Sequence, residues 1–165
     1  PQKGIFDLIN IWDKLVNNNQ KKLSLVLVGN VPDYIRAEID IRIEKLGLKS
    51  YVTRLESVSE DKKIELLQLS KIMVFPSHQE GWGIAPMEAL SAGLPVVAYN
   101  LPVYSESIGK TNALILVKEG DTKAFALAVT KTLNNLKKYS RAANMWHPPL
   151  TWNKVAKKEW QIICS

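Results

Sequence analysis

Apolar residues along this chain form two kinds of pattern, stripes at helical spacing and short continuous runs. The first stripe, over residues 4–18, recurs every three or four positions, as in a helix packed on a sheet; its members are Ile5, Leu8, Ile9, Trp12, Leu15 and Val16. A run rich in Leu and Val follows at residues 23–29. Because this run is largely apolar, we predict a central parallel strand that is covered on both faces.

The same alternation of helical stripes and apolar runs continues to the end of the chain. Helix signals include the stop glycine Gly47, a capping box at residues 57–60 and an N-cap at Asp121. The predicted helices cover residues 33–46, 57–70, 105–108, 121–136 and 151–162. The predicted strands cover residues 51–55, 72–75, 96–99 and 113–117. Three tryptophans, Trp146, Trp152 and Trp160, are assigned to core packing.

Strands separated by helices over the whole length predict an α/β fold: a mostly parallel sheet with helices on both faces, in a Rossmann-like three-layer α/β/α arrangement. The 165 residues are enough for a single domain, residues 1–165. In such sheets, ligands bind outside the carboxyl ends of the strands. We therefore expect Gly29, Glu56, Asn100 and the turn at residues 80–84 to share one cleft with Lys3.

The turn between the strands at 72–75 and 96–99 holds the most informative residues. A short helix is predicted to begin near Pro86 and to stop at Gly93. Gly81 and Gly83 let backbone N–H groups approach a ligand without a Cβ in the way. The N-terminus of the helix directs its partial positive charge to the same place, so the turn suits an anion.

Two carboxylates, Glu80 and Glu88, flank this turn. Bound phosphate would repel a carboxylate, so we expect both to accept hydrogen bonds from hydroxyl groups at the uncharged ends of the ligand. A phosphate flanked by two hydroxyl-rich groups is a nucleotide sugar. Taken singly, each residue also has an ordinary interpretation, as a solvated loop carboxylate, a surface helix residue or a turn glycine.

Taken together, Glu80, Gly-Trp-Gly, Glu88 and the following Ala-Leu-Ser-Ala-Gly-Leu-Pro-Val-Val resemble the Glu-x7-Glu motif of GT-B nucleotide-sugar glycosyltransferases. The resemblance is to the group 1, family 4 type, which includes sucrose and glycogen synthases and bacterial mannosyltransferases. It implies the C-terminal, donor-binding domain of a retaining hexosyltransferase that moves a sugar from a nucleoside-diphosphate sugar to an acceptor hydroxyl. It further implies that no metal or other cofactor is needed.

The resemblance also implies a role for each site residue. Glu80 would be catalytic, holding the sugar hydroxyls and the developing charge, and Glu88 would bind the ribose hydroxyls. The diphosphate would be held by Lys3 and by the backbone of the turn, at Gly81, Trp82, Gly83 and Ile84.

The family pattern also has parts that this chain does not show. Lys3 and Gly4 match a Lys-Gly pair that opens the first helix of the family, but the strand and the Arg that precede it are missing because the sequence starts at Pro1. We therefore expect a fragment that lacks its first strand and the N-terminal acceptor-binding domain, and that is inactive by itself. The loop after the strand at 51–55 also departs from the pattern. There Arg54 and Leu55 are candidates for contact with the nucleobase, and a surface arginine is the alternative.

Charge and cysteine content limit the binding partners and the cellular compartment that we expect for this protein. The net charge is +6 and the pI about 9.4, with basic residues dispersed along the chain. This favours nucleoside diphosphates and contact with an anionic membrane surface, and without a basic recognition helix we expect no nucleic-acid partner. The single cysteine, Cys164, and the lack of a signal peptide or membrane-spanning run predict a cytoplasmic protein, with peripheral contact to a membrane left open as an option.

Other chemistries find little support in the residues. A serine hydrolase would need a nucleophile elbow with Ser between glycines, and the sequence has none. The sequence also has no Asp-x-Asp pair, which disfavours the metal-dependent GT-A glycosyltransferases. His78 and His147 lack partners at zinc-ligand spacing, so no metal site is expected. Two alternatives to a transferase stay open: a GT-B-like nucleotide-sugar epimerase and a noncatalytic nucleotide-sugar-binding module.

Overall fold

As far as Asn134, helices and strands alternate along the chain in the order that the hydrophobic pattern predicts. The computed structural model describes residues 2–19, 22–148, 156–157 and 160–161. The helices in this part of the chain are α1 Ile5–Asn19, α2 Asp33–Lys45, α3 Glu60–Leu69, α4 Ile84–Ser91, α5 Val103–Ser107, α6 Thr122–Asn134 and α7 Leu136–Asn144. The strands are β1 Leu25–Val28, β2 Val52–Leu55, β3 Met73–Phe75, β4 Val96–Tyr99 and β5 Leu114–Val117.

Local signals set most of these boundaries. Every strand lies within its predicted range. Asp121 caps α6 as predicted, accepting a hydrogen bond from the N–H of Ala124. α3 is capped by Ser59, which accepts a hydrogen bond from the N–H of Lys62, two residues after the Ser57 with which the predicted capping box begins. One predicted helix is divided, because α6 ends before Asn135 and α7 follows as a separate helix. The pattern did not predict α7, which is strongly polar and buries little besides Ala143.

The strands are all parallel but form two sheets. β1 pairs with β2 from Leu25↔Val52 to Val28↔Leu55, and β3, β4 and β5 form the second sheet in that order. If β1 is counted as the second strand of a doubly wound fold, the order agrees with 3-2-1-4-5-6. In the described residues, the position of the first strand, between β1 and β3, is not filled. The predicted α/β fold class, with parallel strands and a Rossmann-like arrangement, is confirmed.

Burial differs between the two sheets. In β4 all four residues are buried, and they alternate between two apolar clusters: Val97 and Tyr99 belong to one, and Val96 and Ala98 to the other. The first cluster also contains α1 and α6 residues, and the second contains residues of α4, α5 and α7. The three-layer arrangement is therefore present around β4.

The prediction that the strand at 23–29 is covered on both faces is wrong. Leu25 and Leu27 of β1 are buried, but Val26 and Val28 are 42% and 49% exposed. β1 has β2 as its strand partner, and its buried face packs against the cluster that contains α1. β1 keeps the continuously apolar sequence that is usual for a strand with helices on both faces, but among the described residues only one of its faces is covered.

Helix α1 joins the two sheets. Five of its six predicted stripe residues are buried, and Ile11 is buried as well. These side chains share one cluster with Leu25 and Leu27 of the first sheet and with Val97 and Tyr99 of the second. α1 therefore contributes apolar side chains to a core that is shared by both sheets.

The tryptophan predictions have mixed outcomes. Trp146 is buried, and its indole N–H donates to the carbonyl of Ile108 at 3.0 Å, which confirms a core position. Trp160 is 69% exposed, so its assignment to the core is wrong; it is not a member of either apolar cluster. Trp152 and Cys164 lie outside the described residues, as does most of the predicted helix at 151–162, although residues 156–157 and 160–161 are helical.

Membrane insertion can be examined from the helices that are described. None of them combines the length and the apolar character needed to cross a bilayer.

The start of α1 packs directly on the loop that follows β3. Gly4 has a φ of +66°, and a Cβ at this position would overlap the backbone carbonyl of Pro76. The N–H of His78 also donates to the carbonyl of Gln2 at 2.8 Å. Gly4 is needed both for its backbone conformation and for this close approach, because backbone atoms cannot move aside as a flexible side chain can.

This packing predicts a large cost for a methyl group at Gly4. Gly4→Ala should lower the free energy of unfolding by about 2–5 kcal/mol, since left-handed strain adds to overpacking. Gly47→Ala is the matched control, because Gly47 has the same φ of +66° and a Cβ added there would meet no atom within 4 Å. Gly47→Ala should lower the free energy of unfolding by only about 1–2 kcal/mol, because it adds left-handed strain without overpacking. Equal losses in denaturant titrations would contradict the close approach.

Candidate functional site

The loop after β3 is held in place by the N-terminal segment of the chain. Pro76 and Ser77 are both buried. The hydroxyl of Ser77 has two backbone acceptors, the carbonyl of Gln79 at 3.0 Å and that of Gln2 at 3.3 Å. With the bond from His78 to Gln2, these contacts fix the path of the loop toward α4.

Helix α4 begins at Ile84, two residues before the predicted start near Pro86. Pro86 fits in the first turn because the first N–H groups of a helix have no partner within the helix. Gly83 precedes it in the left-handed conformation, with φ +76° and ψ 39°. The predicted stop at Gly93 is confirmed, since Gly93 follows the helix with a φ of +79°.

The turn presents hydrogen-bond donors without acceptors. Within the described part of the chain, the N–H groups of Gly81, Trp82 and Gly83 donate to no backbone or side-chain acceptor. They lie at the N-terminus of α4, where the helix dipole adds partial positive charge. Trp82 and Ile84 are 38% and 63% exposed, so the turn is open to a ligand. The geometry suits an anion.

Glu80 lies beside this turn and is neutralised by Lys3. The Lys3 Nζ is 2.6 Å from Glu80 Oε1, and the glutamate side chain is only 8% exposed, against 65% for the lysine. The sequence suggested both residues for the site but not their contact. Because a buried carboxylate without a partner is costly, Lys3 stabilises Glu80 in this state.

Glu88, one turn into α4, has a different partner. Its Oε1 is 2.8 Å from the Nζ of Lys63 in α3, and the same Nζ is 2.8 Å from Glu60. The hydrogen bonds that Lys63 donates to Glu60 and to Glu88 raise the pKa of Lys63 to about 12, so the lysine stays charged at any physiological pH. Each carboxylate of the Glu-x7-Glu pair is thus matched with its own lysine.

The candidate base-contact residues lie at the end of β2. Arg54 bonds to Asp40 of α2, with Nη1–Oδ1 at 3.1 Å, and is 22% exposed. Leu55 is half-buried. In the same region Arg36 pairs with Glu56 at 2.8 Å. Arg54 therefore ties β2 to α2, and a nucleobase contact by Arg54 or Leu55 stays a prediction.

A polar network beside the loop was not predicted. His78 is 2.8 Å from Glu119 through Nδ1 and 3.1 Å from Asp7 through Nε2, and the hydroxyl of Tyr99 donates to Asp7 at 2.7 Å. Burial, followed by the bond to Asp7, raises the pKa of Tyr99 above its usual range. The partners lie 41 to 92 positions apart in sequence, so no local pattern could reveal them.

Two further hydroxyl groups lie under the turn. Tyr104 and Ser107 of α5 are 1% and 0% exposed, and neither hydroxyl has a hydrogen-bond partner in the described residues. A Cβ on Gly83 would be 2.8 Å from the ring of Tyr104. Burial, and then the negative charge of Glu80, raise the pKa of Tyr104 above its usual range, so this phenol stays protonated.

The strand order and the open turn define a class of protein: doubly wound α/β domains that bind ligands at the carboxyl ends of their strands. Residues 1–145 match the family described as glycosyl transferases group 1. The chain belongs to this family. The resemblance noted from the Glu-x7-Glu motif is confirmed.

Similar proteins of known sequence include several mannosyltransferases. The chain is 30% identical to the O-antigen chain mannosyltransferase RfbU of Salmonella typhimurium over 132 residues, which cover 78% of this chain and 35% of RfbU. It is 29% identical to the human alpha-1,3/1,6-mannosyltransferase ALG2 over 132 residues, covering 75% of this chain and 31% of ALG2. The chain thus spans about a third of the length of these relatives.

Similar solved structures confirm the fold. S. aureus TarM, solved with UDP among its ligands, superposes with a TM-score of 0.86 at 20% identity, covering 100% of this chain and 34% of TarM. Sucrose-phosphate synthase from Thermosynechococcus elongatus superposes with a TM-score of 0.81 at 20% identity, covering 98% of this chain and 42% of the synthase. At these identities the likeness establishes the architecture.

The network around Asp7 predicts a specific cost for losing one hydroxyl. Tyr99→Phe should lower the free energy of unfolding by about 1.5–3 kcal/mol, because it removes a hydrogen bond to a charged group from a buried site. Tyr34→Phe is the control: Tyr34 is 74% exposed, and its loss should stay within about 0.5 kcal/mol. Denaturant titration measures both, and similar values for the two variants would contradict a stabilising network.

Proposed function

We propose that this chain is the donor-binding domain of a retaining, metal-independent glycosyltransferase that moves a sugar from a nucleoside-diphosphate sugar to an acceptor hydroxyl. The observation that carries the proposal is the turn at Gly81–Gly83, where unpaired N–H groups at the start of α4 lie beside the Lys3–Glu80 pair. Family membership and the mannosyltransferase relatives support it. TarM and Anabaena HepE were both solved with UDP, which also supports a nucleotide ligand.

The diphosphate would bind where positive charge is already arranged. The N–H groups of the turn donate to phosphate oxygens, and the dipole of α4 favours the negative charge. The ammonium group of Lys3, which is largely exposed, adds a charge-assisted hydrogen bond. These fixed donors stabilise the leaving nucleoside diphosphate, which is the part that a metal ion plays in other transferases.

Binding of the diphosphate would change the state of Glu80. Phosphate oxygens compete with Glu80 for Lys3, and a carboxylate released from Lys3 can accept hydrogen bonds from sugar hydroxyls. It can also stabilise the positive charge that develops on the sugar. Glu88 would accept the ribose hydroxyls, with Lys63 holding its side chain in place from α3.

The acceptor would come from a second domain. In this proposal an N-terminal domain binds the acceptor and closes over the donor, so the isolated chain binds nucleotide but transfers nothing. A nucleobase contact at Arg54 and Leu55, a cytoplasmic location and contact with a membrane surface remain predictions. An epimerase would use the same donor site, and product analysis with a UDP-sugar and no acceptor would distinguish it.

Nucleotide binding is the first test. UDP, GDP or ADP should raise the melting temperature of the chain, and Lys3→Met should weaken affinity about tenfold or more through loss of one charge-assisted hydrogen bond. Lys49→Met is the matched control, because Lys49 is exposed and precedes the amino end of β2, at the opposite edge of the sheet. A wild-type chain that responds to none of the three diphosphates would contradict the proposed function.

Catalysis is the second test. In the complete enzyme, Glu80→Gln should lower kcat by about 10²–10³, the usual cost of losing one group that stabilises charge in the transition state, with a smaller change in nucleotide affinity. Glu65→Gln, an exposed position on α3 paired with Lys62, should leave kcat unchanged. An unaltered rate in Glu80→Gln would show that Glu80 is not catalytic.

A further inference from the structure

Two buried hydroxyl groups lie under the turn without any role in the scheme above. Tyr104 and Ser107 are three residues apart on α5 and so project from the same side of the helix. A Cβ built on Gly83 would be 2.8 Å from Tyr104 Cε1 and 3.8 Å from Ser107 Oγ. Both hydroxyls are therefore close to the backbone that is proposed to bind the diphosphate.

Neither hydroxyl has a partner among the residues that the structure describes. Nearly all buried polar groups in proteins are hydrogen-bonded, because burying an unpaired donor costs free energy. Packing alone would be served as well by Phe and Ala at these positions. Two buried, unpaired hydroxyls close to the same turn therefore point to an acceptor that arrives in another state of the protein.

Glu80 is the acceptor that the structure makes available. Its side chain is almost buried, and Glu80 stands three residues before Gly83, on the turn whose backbone lies close to Tyr104 and Ser107. In the present state Glu80 is engaged with Lys3 at 2.6 Å. A carboxylate has two oxygens and can accept from two hydroxyl donors at once, while keeping lone pairs for a ligand.

We propose that Tyr104 and Ser107 are positioning residues. Their hydroxyl groups donate hydrogen bonds to the Glu80 carboxylate when Lys3 pairs with an anionic ligand instead of with Glu80. This inference rests on the proposed function and specifies how the site changes between its two states. In the free state, Glu80 pairs with Lys3. In the bound state, Lys3 pairs with the diphosphate, and Glu80 accepts hydrogen bonds from the two hydroxyls of α5. The exchange keeps the buried carboxylate compensated in both states.

Conservative variants test this exchange. In Tyr104→Phe and Ser107→Ala, the free protein should melt at the same temperature as wild type or higher, because a buried unpaired hydroxyl is removed. Affinity for UDP or GDP, by isothermal titration, should fall about tenfold, as expected for one hydrogen bond to a charged group. A purely structural role would give the opposite result, a lower melting temperature and unchanged affinity.

A double-mutant cycle identifies the partner. In a Glu80→Gln background, Tyr104→Phe should cost much less affinity than in the wild type, because the charged acceptor is gone. Tyr51→Phe serves as the control for loss of a phenol hydroxyl, since Tyr51 lies just before β2 at the far edge of the sheet.

The outcomes separate this inference from the proposed function. If wild type binds UDP or GDP and both α5 variants bind equally well, the exchange is wrong and the proposed function stands. Additive effects of Glu80→Gln and Tyr104→Phe would also overturn it. If wild type binds no nucleoside diphosphate, both the proposed function and this inference fail.

Discussion

The site depends on one close approach between two segments of backbone, at Gly4 and Pro76. A side chain at residue 4 would overlap the carbonyl of Pro76, so only glycine allows the start of α1 to lie against the loop after β3. This contact, with the hydrogen bond from His78 to Gln2, carries Lys3 to the side of Glu80. Two residues that are 77 positions apart thereby form a single electrostatic unit.

The charges around the turn are balanced unevenly. Both acidic residues are compensated, Glu80 by Lys3 and Glu88 by Lys63, whereas the N–H groups at the start of α4 are not. The local field therefore favours an anion even though two carboxylates are near. In the proposed function, binding of such an anion would be an exchange of partners, because the ligand and Glu80 would compete for the ammonium group of Lys3. Part of the attraction between the ligand and Lys3 would then be offset by the loss of the bond between Lys3 and Glu80.

The architecture explains why this unit is held firmly. β4 is buried on both faces, and α1 packs against both sheets, so the loop after β3 is supported from its own sheet and from α1. The network of Asp7, His78 and Tyr99 adds polar contacts between α1, this loop and β4. β1 is covered on one face only, so it is less well supported by packing than β4 is.

The sequence by itself determined the order of helices and strands as far as α6, the α/β class, the family and the turn around Gly83, because these follow from periodicity and from residues that are neighbours in the chain. It did not determine that β1 has one exposed face, that α4 starts before Pro86, or that buried hydroxyls lie beneath the turn. Only the tertiary structure decided the pairing of Lys3 with Glu80. Such contacts join segments that lie dozens of residues apart, and their distances are set by how α1, α5 and the sheets pack, which no local pattern encodes.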